Sequence, residues 1–174
     1  MNFNHIISDK IGLLHLIVSI IALVTGSLVL GMEKGTTNHK RIGNLYSLAM
    51  LLVLITAFLM YNLFGKWGIF HWSAVISSLT IACGLIPIFT KRPKNGFISL
   101  HLSFMYWSVI GLYGALMAET FVRLPSIVVD SGIPNAMFYK MTGFAVAITM
   151  GLGGFFFVKL KPKWDEKFNS IEEH

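Results

Sequence analysis

Four histidines, His15, His39, His71 and His101, each stand near the start of one of four successive apolar segments. An imidazole can ligate iron, hold a divalent metal or relay a proton, and placing one at membrane depth is costly enough to need a purpose. Consecutive membrane helices run antiparallel, so their starts alternate between the two faces of the bilayer. His15 and His71 then share one face, and His39 and His101 share the other. Axial ligation of haem by two neutral imidazoles needs one histidine from each of two helices, which each face supplies. The layout therefore predicts haem b at up to two sites, with His15 and His71 ligating an outer haem and His39 and His101 an inner one.

The elements that carry these residues follow from composition. A chain of 174 residues that is 55% hydrophobic and 13% charged has too little polar surface for a soluble domain. The mean hydropathy of +0.69 points the same way. Five stretches, roughly 11–31, 42–64, 67–89, 97–118 and 136–158, reach the ~20 residues that cross ~30 Å of hydrocarbon, and in lipid a single span satisfies its backbone only as a helix. The expected fold is an all-α membrane bundle of five transmembrane helices. Residues 1–160 form one transmembrane domain, and 161–174 form a short charged tail.

Ten basic residues (Lys34, Lys40, Arg41, Lys91, Arg92, Lys94, Lys159, Lys161, Lys163, Lys167) fall on one side of this topology, against Lys10, Lys66, Arg123 and Lys140 on the other. That asymmetry predicts an external N-terminus and a cytoplasmic C-terminus in a bacterial inner membrane. The net charge of +6 is thereby accounted for, and acidic phospholipid headgroups rather than nucleic acid are the expected neighbours. Lys40, Arg41, Lys91 and Arg92 are placed to neutralise haem propionates or an anionic reductant. Cys83 is the single cysteine, so there is neither a disulfide framework nor a Cys-x-x-Cys-His attachment for covalent haem. No cleavable signal peptide is expected ahead of the first span.

An internal repeat supports paired sites. Gly12-Leu13-Leu14-His15 opens the first span and Gly68-Ile69-Phe70-His71 the third, and each is followed by a basic turn and a second histidine-bearing helix. The chain reads as a duplicated helical hairpin, helices 1–2 and 3–4, plus a fifth helix. Small residues recur beside the histidines at helical spacing: Gly12, Ser19, Ala22 and Gly26 with His15, then Ala74, Ser78 and Ala82 with His71. On the fourth helix Ser108, Gly111, Ala115 and Ala118 follow His101. Such stripes admit either a flat macrocycle or a neighbouring helix. His39 follows Thr36, Thr37 and Asn38, all good N-cap residues, so an interfacial, solvated histidine is an equal expectation there.

Other chemistry is open to the same residues. Glu119 ends the fourth helix on the side where His15 and His71 begin theirs, which would allow a divalent metal site of two histidines and a carboxylate. Arg123 stands one turn further on, and an ordinary Glu119–Arg123 ion pair is the competing expectation. The alternative function is thus a non-catalytic membrane protein or assembly factor that binds a metal ion or a partner through these residues. A small transporter would need polar groups at mid-membrane, and Thr56, Ser77, Thr80 and Thr149 are the best candidates, none of them charged.

The run Lys34-Gly35-Thr36-Thr37-Asn38-His39-Lys40-Arg41-Ile42-Gly43-Asn44-Leu45-Tyr46, the Gly68-Ile69-Phe70-His71 start, and His101-Leu102-Ser103-Phe104-Met105-Tyr106-Trp107-Ser108 with Ala118-Glu119 resemble the bacterial multi-pass membrane proteins catalogued as domain-of-unknown-function family 2306. The resemblance covers about residues 10–125 and implies that His39, His71, His101 and Glu119 matter, without an activity. The alternating histidine layout is also similar to that of ascorbate-dependent dihaem b-type cytochromes. Those usually carry six helices, and no ascorbate-binding motif can be matched in this chain. The sequence reading is therefore a b-type cytochrome-like electron carrier with membrane lipid around it and an unidentified donor and acceptor.

Overall fold

The computed structural model describes residues 10–60, 66–122 and 136–172, all helical apart from short turns. The helices are α1 (Lys10–Gly31), α2 (Thr37–Leu59), α3 (Ile69–Thr90), α4 (Phe97–Val122) and α5 (Ala136–Glu172). Each is long and apolar enough to cross a membrane. Large apolar side chains such as Ile20, Val24, Leu48, Ile76, Leu79 and Phe144 point away from the protein. In water that surface would be untenable, and in lipid it is the solvated one.

Two compact units divide the chain, residues 1–76 and 77–174. In the first, α1 packs on α2. The buried face of α1 is His15, Val18, Ala22, Thr25, Gly26 and Val29, and that of α2 includes Tyr46, Ala49, Met50, Val53 and Thr56. The stripe beginning at His15 is therefore largely a helix-packing face, with Ala22 wholly buried. In the second unit α4 packs on α5. Gly153 meets Ile110 there, and the Tyr106 hydroxyl donates to the Gly153 carbonyl at 2.7 Å. The later part of α3 lies against α4, where Gly84 faces Met105 and Phe104.

The helix ends depart from the sequence expectation most in α2, which also stops at Leu59 rather than near 64, and in α5. Thr36 accepts from the His39 N–H at 3.2 Å, so α2 begins at Thr37 and not near residue 42. α5 continues through the charged segment to Glu172, well past the expected end near 158. Lys161 and Asp165 form an i,i+4 ion pair at 2.9 Å, and Phe168 is buried, so the segment keeps both helical pairing and an apolar anchor. At the end of α1 the Lys34 ammonium donates to the carbonyls of Val29, Leu30 and Met32 at 2.9, 2.7 and 2.9 Å, closing groups a helix terminus leaves open.

Candidate functional site

His15, in the second turn of α1, is 7% exposed, and its Nδ1 lies 2.8 Å from Thr56 Oγ1 on α2. The Thr56 hydroxyl spends its own proton within α2, on the Leu52 and Val53 carbonyls at 2.7 and 2.9 Å. With the hydroxyl proton so placed the oxygen accepts, and His15 is then the donor from Nδ1 with its lone pair on Nε2. In that tautomer Nδ1 is anchored and Nε2 is the basic nitrogen of the ring.

His101, in the second turn of α4, reaches the same state through a different partner. Its Nδ1 donates to the Gly84 carbonyl of α3 at 2.7 Å, again leaving Nε2 as the lone-pair nitrogen. Pro87 lies inside α3 and has no N–H, which leaves the carbonyl of Cys83, the residue before Gly84, without its helical donor. The absence of a side chain at Gly84 lets α4 approach, since a Cβ there would stand 2.8 Å from Met105 Sδ. Proline, glycine and histidine thus make one local arrangement within the second unit.

His71 is 3% exposed but is held in the opposite sense. Its Nδ1 accepts from the Gly68 N–H at 3.2 Å, so its proton is carried on Nε2. Trp67 stacks on its ring with centroids 4.8 Å apart, and Phe58 lies 6.1 Å beyond Trp67. His39 is 8% exposed, buried within the first turn of α2 where the sequence left a solvated histidine equally open. His39 belongs to the first compact unit and His101 to the second.

The remaining candidates are distributed as follows. Lys40, Arg41, Lys91 and Arg92 are exposed, and Glu119 is half-buried near the end of α4. Arg123 and the 128–135 loop lie outside the described residues, and with them the Glu119–Arg123 pair. Among the described residues no group of three or more His, Cys, Asp or Glu side chains converges so as to hold a metal ion. Thr56 and Thr149 bond to carbonyls of their own helices, as membrane threonines commonly do.

Sequence reasoning missed a polar cluster joining α4 to α5. Ser99 donates to Asp165, and Lys161 reaches both, at 3.0 Å from Ser99 Oγ and 2.9 Å from Asp165 Oδ2. Tyr106 and Trp107 of α4 also meet Phe157 and Trp164 of α5, with ring centroids 5.4 to 5.9 Å apart in neighbouring pairs. The Lys161 and Asp165 spacing was the available signal, and it was hidden because the segment reads as a polar tail.

No curated protein and no solved structure matches the chain. A family model does, over residues 12–156, and it takes in all four histidine-bearing helices and most of the apolar part of α5. On that match the chain belongs to the predicted membrane protein family DUF2306.

Proposed function

We propose that this multi-pass membrane protein binds haem b through histidine and serves as a transmembrane electron carrier, with its N-terminus outside and its C-terminus in the cytoplasm. The observation that supports this best is the state of His15: a buried imidazole, anchored by Nδ1 to Thr56, with Nε2 as its lone-pair nitrogen. His101 has the same tautomer through Gly84. These two side chains fit an axial haem ligand. His71, as hydrogen-bonded to Gly68, does not, because its Nε2 carries the proton.

A haem so held would supply one-electron transfer between its ferrous and ferric states. The chain's own part is to hold ligand and charge. Thr56 and Gly84 fix the orientation and basicity of the two imidazoles. The exposed Lys40, Arg41, Lys91 and Arg92 provide positive charge for propionates, or for an anionic donor arriving from the cytoplasm. α1 and α4 begin on opposite faces of the membrane in this topology, so His15 and His101 serve separate sites.

The test is a visible absorption spectrum and haem determination on protein purified after growth with ample haem precursor. A Soret band is expected, with haem reduced by about half in His15→Leu and in His101→Leu and absent from the double variant. A colourless wild-type protein would sink the proposal.

A further inference from the structure

The geometry around His71 separates it from His15 although both end a Gly-x-x-His run: Gly68 precedes α3, whereas Gly12 already lies inside α1. α3 begins at Ile69, and Gly68 stands at its N-cap. The Gly68 carbonyl accepts from the N–H groups of His71 and Trp72 at 3.1 and 3.4 Å. A glycine has no side chain with which to cap the helix. The reverse bond is made instead: His71, third residue of the helix, takes the Gly68 N–H on Nδ1 at 3.2 Å. This is the role that Glu or Gln plays at the same position of a capping box, reaching back to the N-cap N–H. Trp67 stacked on the imidazole holds the ring in that orientation.

Ligating iron would require two changes at once. The proton would leave Nε2 for Nδ1, and Nδ1–H would then oppose the Gly68 N–H, donor against donor, at a residue only 3% exposed. His15 needs no such exchange, because its Nδ1 is already the donor. We infer that His71 is the N-terminal capping residue of α3 and not a haem ligand. The second half of this statement rests on the haem proposal above, and the capping half does not.

The experiment uses the full chain in detergent as wild type, His71→Gln, His71→Leu and His15→Leu. Glutamine retains an acceptor at the third helical position and is a poor iron ligand, whereas leucine has neither property. The unfolding midpoint should be close to wild type in His71→Gln and lower in His71→Leu; equal losses in the two would overturn the cap. Haem per chain should be unchanged in His71→Gln and should fall by about half in His15→Leu, as expected if one of two sites is lost. Loss of haem in His71→Gln at a wild-type midpoint would make His71 a ligand and overturn the inference. A colourless wild-type protein would instead remove the haem proposal, and the cap would still be decided by the midpoints.

Discussion

Which nitrogen of an imidazole carries the proton is decided by its hydrogen-bond partner, and the two Gly-x-x-His runs show opposite outcomes, with His15 in the second turn of α1 and His71 in the first turn of α3. The repeat was visible in the sequence. The difference was not, because it depends on Thr56, 41 residues away from His15, and on a backbone N–H that every residue but proline possesses. Thr56 could be noted in advance only as an uncharged polar residue within a span. Its position now makes a direct prediction. Thr56→Val keeps the shape but leaves the buried His15 Nδ1–H without this acceptor, which should cost about 1–3 kcal/mol, while Thr56→Ser should be close to neutral. Unfolding midpoints in mixed micelles would measure both. Equal stability of all three proteins would show that the His15–Thr56 bond does not hold the imidazole.

At the level of helices, burial within the second unit depends on glycine. A Cβ on Gly153 would stand 2.5 Å from Ile110 Cγ2 and 3.3 Å from Ile110 Cγ1, and a β-branched side chain has few rotamers into which it can retreat. Gly153→Val should therefore push α5 from α4, strain the Tyr106 bond to the Gly153 carbonyl, and destabilise by about 1–3 kcal/mol as an overpacked contact does. Ile110→Ala combined with it should restore part of the loss, since neighbours in contact do not behave additively. If the double variant is no better than the single, the contact is not what holds the two helices together.

Helix ends were the least legible feature of the sequence. The span lengths were readable from hydropathy, but α5 runs on to Glu172 because Lys161–Asp165 pairing and the buried Phe168 support a segment whose composition alone suggests a tail. α1 ends under the Lys34 ammonium, an interaction made across a turn and invisible to any periodic pattern. Replacing Lys34 by Ala should fray the last turn of α1 at a cost of about 0.5–1 kcal/mol. Burial holds the Lys34 pKa below the ordinary lysine value. The folded state then binds fewer protons than the unfolded one between the two pKa values, so this residue's contribution makes stability rise with pH across that alkaline window. Lys34→Ala should remove that rise from a denaturation series taken at increasing pH.

For the molecule as a whole, five apolar helices and a family of membrane proteins agree on a multi-pass chain, and this was the most legible level of all. Hydropathy acts through every residue of a span, so no single contact has to be guessed. Sidedness rests on the distribution of charge. The loop after α1, the start of α2, the loop after α3 and the end of α5 carry Lys34, Lys40, Arg41, Lys91, Arg92, Lys94, Lys159, Lys161, Lys163 and Lys167, and the short connections among them weigh most in orientation. Within this set Lys161 is partly offset by Asp165, yet the asymmetry survives its removal. A reporter fused after His174 should thus be active only in the cytoplasm, and one inserted in the 128–135 loop only outside. The reverse result would exchange the faces on which α1 and α4 begin. His101 would then face the exterior with Lys91 and Arg92, and any anionic electron donor drawn to those charges would have to approach from outside the cell.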